Sequence, residues 1–294
     1  MSVVIQRWMM RSDKMMSFVL TLIGAVLMSL DPIFIRFSGV GGVDTAFLFG
    51  LFTAISMPIF IQLRDPRGLV GAIRESGWQV VVSGLLMLGS AAGLVLSIKL
   101  TSVANTFVIL SAAPALAALF SWWFLAEITQ RSTWIAIISV MVGIGIVVSG
   151  SFQSGHWQGD ALALFAVMCL SLNQVQLRKY QQVSRMASVG FGGFFLMIVM
   201  AFFTTPSSYS AETWLIMAAM GLLTAPFGRV LSQVATRYIT APEVGMILML
   251  ETVLAPAWAL LFFDEVPPTA SLVGGAIIFV TIAIYAYSAM KSVK

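Results

Sequence analysis

Asp31, Arg229 and Glu251 are ionisable residues inside stretches that carry almost nothing else polar: VLTLIGAVLMSLD, LLTAPFGRV and MILMLET. An ionised group at mid-membrane costs about 2.5–3.5 kcal/mol on insertion scales, so it persists only with a partner or a wet cavity. One cation and two acids can pair, hold a proton, or meet the two charged ends of a small amphoteric molecule. Neutral amides add to the set. Asn173 and Gln176 share a helix face (i, i+3) and can bind a zwitterion without a fixed charge, while Gln174 is turned away by about 100° and suits helix-to-helix bonding. Trp258 is the tryptophan away from any helix end, about 22 Å into its span. It could stack an aromatic cargo, with Met249, Met246, Tyr238 and Phe107 as neighbours.

Other chemistry is excluded by what the chain lacks. His156 is the single histidine, and there is no HExxH, no GxSxG, no aspartate-rich metal motif and no cysteine pair, since Cys169 stands alone. The chain is therefore read as no enzyme, and no cofactor or metal is expected. The pI of about 9.5 does not imply nucleic acid, because no basic face is interleaved with aromatics.

The elements that must position these residues are membrane helices. Of 294 residues, 59% are hydrophobic and 10% charged, with mean hydropathy +0.97, too few charges to solvate a globular surface. Windows of about 20 apolar residues fall at 15–38, 44–63, 78–98, 103–126 and 133–150, then 159–180, 187–205, 213–237, 243–263 and 269–290. The opening MSVVIQRWMMRSDK is too polar for a signal-peptide core, so an uncleaved first span is expected from Met15. With the N-terminus in the cytoplasm, every lysine and arginine except Arg36, Lys99 and Arg229 falls on the cytoplasmic side or just inside it. Both termini are then cytoplasmic.

Laid over each other, the two halves repeat. Leu30-Asp31 to Arg36 matches Leu172-Asn173 to Arg178 at an offset of 142, and Ser97–Ile128 lies over Ala235–Val266 at an offset of 138. The second register pairs Lys99 with Arg237 and Glu127 with Glu265. Five spans per half is an odd number, so the copies must be inverted. The expected fold is an all-α membrane protein of ten transmembrane helices in two inverted five-helix repeats, 15–150 and 159–290, with a substrate site near the midplane between them.

Depth along the helices suggests partners. Arg229 lies about 24 Å into span eight and Glu251 about 12 Å into span nine from the opposite face, so an Arg229–Glu251 ion pair is expected in the cytoplasmic half, as a gate or as a static bridge. Asp31, about 24 Å along span one, is expected near Lys99 at the outer mouth. Asn173 and Arg237 would be the inner counterparts. Asp31 could equally ease the kink at Pro32. Pro32, Pro114, Pro226 and Pro256 interrupt spans one, four, eight and nine, and small-residue runs at Gly89–Gly93 and Gly190–Gly193 allow close helix approach.

The two aligned segments, each a threonine-containing turn, a proline-bearing span closed by Glu127 or Glu265 and a glycine-bearing span, resemble the drug/metabolite transporter superfamily in its EamA-like ten-helix branch. The chain is similar overall to the bacterial aromatic amino-acid exporter group. The resemblance implies a bacterial inner-membrane carrier that exports small metabolites, amino acids above all, with spans 1–4 and 6–9 around the cavity. Its partners are a small-molecule substrate and the lipid bilayer, with no nucleic acid and with proton coupling left open. A passive channel-like facilitator or a lipid scramblase of the same architecture is the alternative.

Overall fold

A computed structural model describes residues 3–126, 131–206, 209–239 and 241–291, and the regular structure among them is helical. The first half begins with α1 (Val3–Met28) and α2 (Asp31–Phe37), then α3 (Gly42–Arg64), a short α4 (Gly68–Ser76) and α5 (Gln79–Leu100). It continues with α6 (Val103–Leu110), α7 (Ala113–Leu125) and α8 (Arg131–Ser154). The second half holds α9 (Trp157–Lys179), α10 (Arg185–Ala201) and α11 (Ala211–Ala219), which runs through a π-helical turn, Met220–Thr224, into α12 (Ala225–Ala235). Then come α13 (Ala241–Leu248), α14 (Leu250–Phe263) and α15 (Thr269–Lys291). Among the described residues seven helical segments are long and apolar enough to cross a membrane, and shorter apolar stretches lie at Trp134–Gly150, Arg185–Ala201 and Thr269–Thr281. Large apolar side chains such as Leu63, Ile135, Ile138 and Leu215 face outward, as a lipid-facing surface requires.

Two boundaries differ from the sequence reading. Helix α1 begins at Val3, well before the apolar run, and the polar segment between the second and third expected spans is largely the short helix α4. A polar sequence can stay helical where its own backbone bonds are made, and hydropathy alone does not register this.

Four of the long segments are interrupted. The chain turns at Ser29-Leu30 before Pro32, and at Ser111-Ala112 before Pro114. The π-helical turn lies just before Pro226. Proline in the first turn of a helix lacks only a donor that would be unpaired anyway, so each restarts a helix cleanly. Pro256 instead sits inside α14, and the interruption in that span is at Met249. Nearby hydroxyls satisfy the freed carbonyls: Ser29 Oγ donates to Val26 O at 2.7 Å, Ser111 Oγ to Val108 O at 2.6 Å, and Ser56 Oγ to Gly221 O at 3.3 Å.

The principal helix pairs are α3 with α10, α5 with α9, α8 with α15, α5 with α10 and α1 with α12. Glycine makes these approaches close. A Cβ added at Gly50 would lie 2.6 Å from the backbone nitrogen of Met197 and 2.8 Å from Gly193 O, so only hydrogen fits there.

Candidate functional site

The interruptions place the charges. Asp31 opens α2 and Glu251 lies in the first turn of α14, where unpaired backbone N–H groups and the helix dipole favour a carboxylate. Arg229 lies on α12, one turn past the π-helical segment. All three are buried, at 1%, 7% and 7% exposure. Arg229 Nη2 stands 3.0 Å from Asp31 Oδ2. The contact is a charge pair by distance, since neither Asp31 oxygen accepts an aligned hydrogen bond. Arg229 Nη1 donates to Ala225 O at 3.2 Å, and its guanidinium lies 4.8 Å from the centre of the Phe49 ring. Glu251 lies within electrostatic range of both partners, and its Oε1 has no hydrogen-bond partner.

The expected Arg229–Glu251 ion pair is therefore corrected to Arg229–Asp31, with Glu251 as the third charge. The expected Asp31–Lys99 contact is corrected too: Lys99 Nζ donates to Val40 O at 2.8 Å and Ser38 Oγ at 3.0 Å. Reckoning depth from backbone rise ignores side-chain direction. Helical side chains lean toward the N-terminus of their own helix, and Arg229 reaches back a full turn, to the carbonyl of Ala225.

Glu251 borders a small cavity with room for water-sized spheres over about 20 Å³, lined also by Phe107, Ser111, Leu170, Met249 and Thr252. That is enough for one water. Met249 thus borders the same cavity as Glu251, and Trp258 Nε1 donates to Ser29 Oγ at 3.2 Å, in the turn two residues before Asp31. The other amides and charges lie elsewhere. Asn173 accepts from Ser83 Oγ at 2.5 Å, and Gln176 Nε2 donates to Gln79 O at 2.7 Å, so both tie α9 to α5. Gln176 is half-buried, and the helix-to-helix role expected for Gln174 falls to it. Tyr238 is 46% exposed, and Arg237 is exposed beside it. Neither Tyr238, Arg237, Asn173 nor Gln176 borders the cavity at Glu251.

Polar contacts at both ends of the bundle join the halves. At the end where α2 meets α3, Arg36 Nη2 bonds Glu265 Oε2 at 3.0 Å, and Glu265 Oε1 accepts from the Val103 N–H at 2.6 Å. Thr101 Oγ1 donates to buried Asp160 at 2.9 Å. Tyr209 O–H donates to Asp44 at 2.6 Å, and burial, then the Asp44 carboxylate, pushes the Tyr209 phenol pKa up. At the other end Arg67, paired within the first half with Asp65 at 2.8 Å and Glu75 at 3.1 Å, donates across to Gln182 O at 3.4 Å, and it holds the Asp65 carboxyl below its usual range. There Ser184 N–H also donates to Ser76 Oγ at 2.8 Å. The sequence reading missed the Arg36–Glu265 bridge. Its signal was present, since Arg36 and Glu265 both occupy aligned repeat positions. Glu127, the repeat counterpart of Glu265, lies outside the described residues.

One correspondence stands out among these contacts. Arg36 Nη2 donates to Thr101 O at 3.2 Å and Arg178 Nη1 to Ile239 O at 3.1 Å. Arg178 follows Arg36 by 142 residues and Ile239 follows Thr101 by 138, the same two offsets as in the sequence.

The sequence profile described as the EamA-like transporter family matches residues 12–149 and 157–287. A crystal structure whose description names no function is similar in fold, with a TM-score of 0.67 at 19% identity, covering 91% of this chain and 96% of that one. A search of curated proteins finds no match.

Proposed function

The chain belongs to the EamA-like transporter family, with two repeats of the family domain, and on that premise we propose that it is a secondary transporter that exports amino acids, aromatic ones included. Membership makes it a multi-pass membrane protein that moves small molecules. The finer reading rests on one observation: a guanidinium and two carboxylates buried together where the spans are interrupted, with an indole bonded to the turn before Asp31. A guanidinium recognises a carboxylate in a planar fork, and a carboxylate recognises an ammonium. Trp258, half-buried two residues from Asp31 through Ser29, offers a flat face to an aromatic side chain. The site fits phosphorylated cargo poorly, since Arg229 is the single cation in the cluster.

Alternating access is the mechanism we assign. The recurrence of the Arg36 and Arg178 contacts at the repeat offsets supports two equivalent halves. So does the pairing of α1 with α12 and of α5 with α9, which exchange places when the halves are exchanged. With the three shorter apolar helices the spans number ten, and five per half inverts one half against the other. The distribution of lysine and arginine supports two cytoplasmic termini, and the bacterial inner membrane is the location we assign from the family resemblance. Proton coupling completes this reading.

The test is counterflow in proteoliposomes. Labelled phenylalanine should enter saturably, faster when unlabelled phenylalanine is inside, and other amino acids should compete. Linear uptake without trans-stimulation would instead make the protein a passive facilitator. Uptake of no amino acid would overturn the cargo.

A further inference from the structure

We propose that Glu251 and the cavity beside it form the binding site of a coupling proton, one carried across per transport cycle. The inference rests on the carrier reading above and assigns the proton to a residue. It starts from charge. The cluster holds two carboxylates and one guanidinium, and the guanidinium is placed on Asp31 at 3.0 Å. Glu251 is 7% exposed, and its Oε1 has no hydrogen-bond partner. An ionised carboxylate so placed carries an uncompensated buried charge, and a bound proton removes it.

The surroundings favour a proton over a metal cation. Helix α14 packs on α1, α2, α6 and α13. The charged groups that act on Glu251 are Asp31 from α2 and Arg229 from α12. The described side chains of α1 and α6 bring no titratable group, and the cavity walls from α6, α9 and α13 offer Phe107, Leu110, Leu170 and Leu248. Besides Glu251, the side-chain oxygens at the cavity are those of Ser111 and Thr252. A metal ion needs a fuller shell of oxygens. The cavity has room for one water. That water carries the proton: Glu251 COOH releases H⁺ to it, leaving a carboxylate that Arg229 then shares with Asp31. Cargo whose ammonium takes the Glu251 carboxylate binds only once that proton has left, so proton and cargo exclude each other and move in exchange.

Two arms test this in the full-length protein. In proteoliposomes, a pH gradient should drive wild-type accumulation of labelled phenylalanine, about tenfold per pH unit for one-for-one exchange. In Glu251→Gln that accumulation should fall to equilibration, and a sodium gradient should drive neither protein. Gradient-driven accumulation by Glu251→Gln at the wild-type level, or accumulation driven by sodium, would overturn the proposal. The second arm needs no cargo. Infrared difference spectra between acidic and alkaline buffer should show a protonated-carboxyl band that is lost in Glu251→Gln and titrates at lower pH in Asp31→Asn, where Arg229 is left to Glu251 alone. A band unchanged in Glu251→Gln, or no titrating band at all, would overturn the proposal even if phenylalanine proved to be the wrong cargo.

Discussion

Replacing Arg229 with methionine should destabilise the protein by about 3–5 kcal/mol and abolish transport, because Asp31 and Glu251 would be left buried with no cation. The size of the loss comes from the stranded acids more than from the pair itself. The double variant Arg229→Met/Asp31→Asn should therefore recover most of the stability, though not transport. Thermal unfolding in detergent, followed as a double-mutant cycle, reads both effects. If Arg229→Met unfolded at the wild-type temperature, or if Asp31→Asn gave no recovery, the ion pair would not hold these helices together.

The second large effect is steric. Gly50→Ala should destabilise the chain by about 1–3 kcal/mol, because the added methyl meets the backbone of α10 at Met197 and Gly193, and a backbone cannot turn aside as a side chain can. Helix propensity alone predicts the opposite sign, a gain of about 1 kcal/mol for alanine over glycine. Gly145 supplies the control, since a Cβ there meets nothing within 4 Å. Gly145→Ala should be neutral or stabilising by up to that amount. Equal behaviour of the two variants would mean that α3 and α10 are not packed this closely.

These two cases show what the sequence made legible. Apolar runs located the spans, and prolines located the breaks before α2, α7 and α12, because a missing donor and a fixed φ leave a visible mark. The break at Met249 carries no such residue, and neither does the π-helical turn at MGLLT. The π-helical turn leaves Gly221 O to accept from Thr53 and Ser56 on α3, a tertiary contact that local sequence does not encode. For the site, the buried charges stood out by rarity alone. Their pairing did not, because a count of residues gives the height of a Cα and not the direction of a seven-atom side chain. Asn173 and Gln176 were legible as polar residues in a helix, but not as bonds to Ser83 and Gln79, since their neighbours on α5 lie about ninety residues away. Tyr238 follows α12 directly, and its ring lies at the surface, not in the interior.

Alternating access means that the hollow at Glu251 opens to one side of the membrane at a time and holds cargo. It is tested most directly by placing a cysteine at Thr252, on the cavity wall, in a Cys169→Ser background that removes the single native thiol. A membrane-impermeant thiol reagent is then applied from either side of reconstituted vesicles of known orientation. Labelling is expected from each side, with cargo on one face lowering the rate on the other and saturating cargo protecting the thiol. Labelling from both sides at rates that cargo leaves untouched would contradict it.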